Sequence, residues 1–333
     1  MIPARFTGPG LVDLQLNGYA CFDFNSLPWD WSEADFHRVG EALERRGVAA
    51  ALPTFITDAP ERVIARIETW REMVEKDSSL ARIFPLVHLE GPFLSPEDGP
   101  RGAHPREFCR TPEDLPGFLD QALEASGGRI GILTLAPELP GALELVEKAA
   151  RAGITVAIGH TAASRDVIRA AVDAGARLST HLGNGAHPVL PKLDNYILAQ
   201  LAEDDLAAGF IADGRHVPFY TLKNFLRAKP KGKALLVTDA TAAADCKGGR
   251  PELRGEELLV SPDLRVTRKG KPGLSGSALT LDRAVLNTAA HCGFSFQEAW
   301  DMASRVPAAL VGLSGSLREV SVRVGPGGFS LDT

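Results

Sequence analysis

The stretch Ile154-Thr-Val-Ala-Ile-Gly-His160 leads into a helical pattern from Ser164 to Ala174, a stop at Gly175, and then Ala176-Arg-Leu-Ser-Thr-His181. A short apolar run, a helix and a second short run make one unit whose strands return parallel. Neighbouring parallel strands lie about 4.8 Å apart. Each run closes on a histidine, so both imidazoles stand at C-terminal strand tips and can reach one point in space. Two imidazoles so placed can hold a metal ion, with Zn–N near 2.1 Å. The plainer reading is two polar residues where loops begin, and a carboxylate reaching the same point weighs against it.

Outward from that unit the alternation recurs. Upstream, Leu11-Val-Asp-Leu-Gln-Leu-Asn17 reads as a first strand after Pro9-Gly10, and Val48-Ala-Ala-Ala-Leu52 as a short, fully buried second. Between them Ser32-Glu-Ala-Asp35 is a capping box, opening a helix that Gly47 stops. The pattern predicts a helix over 61–76, a third strand over 82–90, a fourth over 130–136 and a helix over 141–152. Downstream it predicts a helix over 194–203, a seventh strand over 206–212, a helix over 217–228 and an eighth strand over 233–239. Eight apolar strands alternating with helices predict an α/β fold, a (β/α)8 TIM-type barrel. A doubly wound sheet is the rival, but it wants a glycine-rich phosphate turn where Leu16-Asn17-Gly18 stands.

After the eighth strand the texture changes. Residues 256–271 read as a hairpin around Ser261-Pro-Asp263, helices follow at 281–291 and 295–305, and Glu319-Val-Ser-Val-Arg-Val324 begins a strand, turn and final strand. These β pieces are expected to form one small accessory sheet. The expected division is a barrel over 1–250, accessory β structure over 251–275 and 316–333, and helices returning to the barrel over 276–315.

Bulk properties narrow the function classes. The 333 residues are 44% hydrophobic and 23% charged, as in an ordinary globular protein, and the net charge of −6 offers no basic footprint for nucleic acid or anionic membrane. Cys21, Cys109, Cys246 and Cys292 are scattered without a CxxC pair, which predicts neither a disulfide scaffold nor a zinc ribbon. With no signal-peptide pattern at the start and no run of about 18 apolar residues, a cytoplasmic protein is expected, with no membrane partner.

Polar residues at C-terminal strand tips are where barrel enzymes do chemistry. Here they are Gln15 and Asn17, Glu90, His160, His181, Asp213 and His216, and Asp239. Glu90 completes a two-histidine, one-carboxylate set that leaves a fourth metal position open, as hydrolysis requires. Asp239 ends an apolar strand and can shuttle a proton between water and a leaving group; the competing reading is a cap for the segment from Thr241. His104 can polarise a substrate carbonyl. Asn184-Gly185 is a turn signal whose N–H groups can also meet an anion. Gly273-Leu-Ser-Gly-Ser277 lacks the last glycine of a nucleophile elbow and reads as close backbone packing.

Taken together, Asp13-Leu-Gln-Leu-Asn-Gly18, His88-Leu-Glu-Gly-Pro-Phe93, Gly102-Ala-His104, Gly159-His-Thr161, Thr180-His-Leu182, Ala212-Asp-Gly-Arg-His-Val217, Val237-Thr-Asp-Ala240 and Leu274-Ser-Gly-Ser-Ala278 form an ordered set. That set resembles the N-acetylglucosamine-6-phosphate deacetylase family of the metal-dependent amidohydrolase superfamily. The resemblance implies Glu90, His160 and His181 as metal ligands, Asp239 as acid/base and His104 at the substrate carbonyl. It places Ala103, Asn184, Gly185, Lys192, His216, Leu274 and Ser275 around an amino sugar phosphate, with Lys192 in place of an arginine that the family lends across a dimer interface. Gln15-Leu-Asn17 stands where many superfamily members carry His-x-His for a second metal. One divalent ion is therefore expected, zinc first, with Fe, Mn and Co compatible with the same ligands.

The family usually opens with a β segment before its first barrel strand. Here strand patterning begins at residue 11, so the accessory sheet is expected to be N-terminally reduced. The implied activity is hydrolysis of a linear amide, N-acetylglucosamine 6-phosphate giving glucosamine 6-phosphate and acetate, by a homodimer. Two other readings stay open: an amidohydrolase for a different, non-phosphorylated N-acyl substrate, and a non-catalytic sugar-binding or regulatory barrel.

Overall fold

The computed structural model describes residues 2–270 and 273–332. Eight strands, Leu11–Leu16, Val48–Ile56, Val87–Glu90, Ile130–Leu135, Thr155–Ile158, Ala176–Ser179, Ala207–Ile211 and Ala234–Val237, pair in sequence order into one parallel sheet. Nearly every residue in them is buried, as it must be when helices cover one face and side chains fill the interior of the other.

The seam between the first and eighth strands closes the barrel. Leu16 bridges Ala240, and the backbone N–H groups of Asn17 and Gly18 both donate to the Ala240 carbonyl, at 2.8 and 3.0 Å. Lower in the seam a side chain replaces the ladder: Asp13 accepts from Thr238 Oγ1 at 2.6 Å and from Thr238 N at 3.2 Å. The expected helices line the outside. Glu33–Glu44 starts at Ser32 with the reciprocal Ser32–Asp35 box in place, and Tyr196–Ala202 starts at Asn195, whose Oδ1 accepts from Ile197 N and Leu198 N.

Four expectations are corrected. Arg82 and Ile83, expected to open the third strand, instead end a helix, Ser78–Ile83, because the Asp77 carboxylate caps Ser79 N at 2.6 Å and Pro85 then breaks the chain before Val87. The helix expected over 295–305 is two, Phe296–Met302 and Arg305–Leu310. The restart places Pro307 in a first turn, where its missing N–H has no helical partner to lose.

The accessory β structure is two sheets, not one. Arg5–Pro9, absent from the strand pattern, pairs antiparallel with Glu319–Gly325, which pairs with Gly328–Leu331. Phe6 and Phe329 of this sheet pack on Trp300, with ring centroids 4.6 and 5.4 Å away. The expected hairpin forms from Glu256–Val260 and Val266–Arg268 with Glu252–Leu253 added, and its predicted end at Lys271 lies outside the described residues. Leu253, Leu258 and Val266 make a small apolar cluster with Ala243 and Ala278, against Ile56 at the barrel mouth.

The cysteines are the last correction. Cys21 and Cys246, 225 positions apart, join in a disulfide between the loops that follow the first and eighth strands. Cys109 and Cys292 remain free. No helix among the described residues is long and apolar enough to cross a membrane.

Candidate metal centre

Glu90 is the last residue of the third strand, and His160, His181 and Asp239 lie two positions beyond the ends of theirs. All three of the latter have left-handed backbone, with φ of 52°, 26° and 48°. For a residue with a Cβ this conformation costs roughly 1–2 kcal/mol, and such strain gathers where side-chain direction matters more than backbone comfort.

The result is a triangle. Glu90 Oε1 lies 3.1 Å from His160 Nε2 and 3.1 Å from His181 Nε2, and the two nitrogens are 3.1 Å from each other. Ligands at about 2.1 Å around a tetrahedral ion sit roughly 3.4 Å apart, so the triangle has the size of one face of such a shell. The tautomer fits as well. His160 Nδ1 lies 2.8 Å from the Pro100 carbonyl, to which it can only donate, and this leaves the Nε2 lone pair free for the triangle. His181 Nδ1 is buried without a partner among the described residues.

Glu90, His104 and His160 also offer atoms within 4.8 Å of one another. The His104 approach to Glu90 Oε2 is 3.9 Å, however, so His181 makes the tighter set. The donor set and its spacing fit one divalent cation.

Electrostatics agree with the geometry. Burial alone would raise the Glu90 carboxyl, but hydrogen bonds and charge from the two imidazoles hold it well below the usual carboxylate range. Burial and the neighbouring His160 push His104 well below the usual imidazole value, so it is neutral at physiological pH. Asp239 is raised by burial against the attraction of His181. Gln15 Nε2 donates to Glu90 Oε1 at 2.9 Å, and Asn17 Nδ2 donates to Asp239 Oδ1 at 2.6 Å.

Below the triangle, His88 Nδ1 meets the Leu14 carbonyl at 3.0 Å. Its Nε2 meets Thr134 Oγ1 at 2.7 Å, which in turn meets Thr180 Oγ1 at 2.7 Å. Burial pushes His88 down to about 4, so this polar floor carries no imidazolium charge near pH 7.

The remaining expected site residues divide. Ala103 and His104 line the same pocket as the triangle and Asp239. Gly185 packs on the His160 ring: a Cβ there would stand 2.8 Å from Nδ1 and 3.0 Å from the Pro100 carbonyl. Asn184 Nδ2 donates to the His181 carbonyl at 3.0 Å, and His216 Nδ1 pairs with Asp213 Oδ2 at 2.7 Å. Leu274 is half-buried and Ser275 buried; they lead into Ser277, whose N–H and Oγ brace the Asp239 and Thr238 carbonyls at 2.9 and 2.6 Å. Lys192 is exposed and does not line the metal pocket.

No family model matches the chain. Its relatives among characterised proteins are extensive. The N-acetylglucosamine-6-phosphate deacetylase of Homo sapiens is 35% identical, the match covering 94% of this chain and 76% of the relative. The chain belongs to the N-acetylglucosamine-6-phosphate deacetylase family. An N-acetylgalactosamine-6-phosphate deacetylase of Escherichia coli O157:H7 is 31% identical over 94% of this chain and 80% of its own length. The crystal structure of N-acetylglucosamine-6-phosphate deacetylase from Pasteurella multocida superposes with a TM-score of 0.85 at 26% identity, covering 98% of this chain and 84% of that one.

Two deacetylase-pocket residues escaped the sequence reading. Arg254 and Arg268, both on the hairpin, line the pocket above the triangle. Arg268 Nε lies 3.2 Å from Ser275 Oγ, and Arg254 Nη2 lies 3.0 Å from Asp58 Oδ1. Only their basic character was visible in the chain. That the hairpin folds back over the mouth depends on the apolar cluster beneath it. The space left is about 60 Å³, small beside ordinary ligand pockets of roughly 300–1,000 Å³.

Proposed function

We propose that this protein removes the N-acetyl group of N-acetylglucosamine 6-phosphate, giving glucosamine 6-phosphate and acetate. The observation that carries the reading is the 3.1 Å triangle of Glu90, His160 and His181 in one pocket with Asp239. Held by that triangle, a divalent cation supplies Lewis acidity toward the acetyl carbonyl and the attacking water. Zinc suits two imidazoles and a carboxylate.

The chain's own groups do the rest. Asp239, oriented by Asn17, takes a proton from the water as its oxygen bonds to the acetyl carbon. When the C–N bond breaks, the same carboxyl returns that proton to the departing amine, so the group ends as it began. His104 is neutral and buried, and its ring N–H can donate to the acetyl oxygen as negative charge develops there. Ala103, Asn184, Gly185, His216, Leu274 and Ser275 are assigned to the sugar phosphate, and a homodimer in the cytoplasm with one ion per chain completes the reading.

The deciding experiment is Asp239→Asn. It is expected to keep its metal and lose at least about 100-fold in kcat. Turnover within tenfold of the wild type would overturn the assigned acid/base.

A second reading concerns the substrate. Lys192 stands apart from the pocket, and a relative of similar identity is named for the galactosamine epimer. Assaying N-acetylglucosamine and N-acetylgalactosamine, each with and without the 6-phosphate, separates these. Preference for an unphosphorylated sugar would replace the phosphosugar reading.

A further inference from the structure

Arg254 borders two spaces. One is the metal pocket; the other is a separate cavity of about 480 Å³, within the range of small-molecule sites. The second cavity lies between the loop after the first barrel strand, the start of the helix Pro60–Lys76 and the segment entering the hairpin.

Five arginines face it: Arg38, Arg62, Arg66, Arg250 and Arg254. Arg38 is matched by Asp35 at 2.7 Å. Asp58, fully buried, serves three of the others, with Arg66 at 2.7 Å, Arg254 at 3.0 Å and Arg62 at 3.4 Å. The Asp23 carboxylate accepts instead from the backbone N–H groups of Asn25 and Arg254, at 2.8 and 2.6 Å. Arg250 is exposed and makes no ion pair among the described residues. Asp30 and Glu252 lie at the exposed rim. The lining as a whole carries five guanidinium groups and five carboxylates, but around Asp58 three guanidinium groups, those of Arg62, Arg66 and Arg254, face two carboxylates, Asp58 and Asp23.

One side chain in it is left unsatisfied. Arg66 is 1% exposed; its Nε donates to the Ser26 carbonyl at 3.0 Å and its Nη2 to Asp58, but its Nη1 has no acceptor among the described residues. A buried donor without a partner is costly, and more so when charged, so an acceptor from outside is strongly favoured there. Trp31 and Phe22 also line the cavity and supply its apolar surface.

The geometry points to a second anion site in this cavity, taking a small phosphate ester whose dianion sits among Arg62, Arg66 and Arg254 and whose organic part lies along Trp31 and Phe22. Guanidinium forks match phosphate oxygens in charge and in spacing. A bound dianion competes with Asp58 for Arg254, the side chain that also walls the metal pocket, and this couples the two spaces. The site does not depend on the substrate proposed above.

Calorimetric titration of the metal-loaded protein with glucose 6-phosphate and with inorganic phosphate tests this. Glucose 6-phosphate is expected to bind more tightly than inorganic phosphate. In the double variant Arg62→Ala/Arg250→Ala, whose changed residues are exposed, its affinity is expected to fall at least tenfold while kcat stays at the wild-type value. Arg66→Met, checked for folding by circular dichroism, should show the same loss, and the double variant decides alone if Arg66→Met does not fold. Absent binding to the wild type, or unchanged affinity in the double variant, overturns the site. Equal affinity for the two probes overturns the ester in favour of free phosphate.

Discussion

Asn17 donates from Nδ2 to Oδ1 of Asp239 at 2.6 Å, across the seam where the first and eighth strands close the barrel. The bond joins residues 222 positions apart and sets the direction of the carboxylate assigned to proton transfer. The Asp239 backbone is held separately by Ser277 N at 2.9 Å, so the side-chain bond adds aim rather than location.

Asn17→Ala should therefore lower kcat while leaving KM and metal content near the wild type. A hydrogen bond to a charged group is worth about 1.5–3 kcal/mol, which corresponds to roughly 10- to 100-fold in rate. Steady-state kinetics with elemental analysis of the same preparation checks it. Loss of metal together with activity would place Asn17 in the metal shell instead.

His160→Ala breaks the triangle and leaves Glu90 facing a single imidazole. Elemental analysis is expected to find about one divalent ion per wild-type chain and almost none in the variant, because removing a ligand from a three-residue set leaves too few donors. The melting temperature should fall with the metal, since an ion bound only by the folded state stabilises it by mass action. A variant that keeps its ion would point to His104 as the substitute ligand.

Asp13 carries a pH signature. Burial in the seam raises its carboxyl to about 7, against the hydrogen bonds from Thr238. A carboxyl raised on folding is held more tightly as the protonated form. The stability it contributes is therefore complete below the unfolded value near 3.9 and is lost as pH climbs through the folded one. Denaturant melts between pH 4 and 7 should show stability declining by up to about 4 kcal/mol from this group. Asp23, raised by burial to about 6, adds a slope of the same sign, so comparison with Asp13→Asn isolates the seam. An identical slope in the two proteins would show that Asp13 ionises normally.

The Cys21–Cys246 bond closes a loop spanning 225 positions. Breaking such a crosslink is expected to cost about 2–5 kcal/mol. Cys21→Ser and Cys246→Ser should lower the melting temperature equally, and the double variant no further, because one bond is lost in every case. Alkylation in denaturant without reductant, read by intact mass, should label only Cys109 and Cys292.

The amino-acid order alone determined the eight-fold alternation and the tips on which the reacting groups stand. Apolar runs of four to six residues, a capping box at Ser32 and Asp35, and glycine stops such as Gly175 act over a few residues, so their effect is written locally. Histidines directly after two such runs then pointed to the candidate metal centre, because a parallel strand order carries both tips to the same end.

Folding in three dimensions decided what depends on residues meeting across most of the chain. Arg5–Pro9 contains a glycine and a proline and becomes a strand only because Glu319–Gly325 offers it an edge. Arg254 and Arg268 reach the mouth because Leu253, Leu258 and Val266 find a separate apolar seat beside Ile56. Cys21 meets Cys246, and three guanidinium groups meet Asp58, for the same reason. Burial and loop closure choose among many distant partners at once, and no short window of sequence contains that choice.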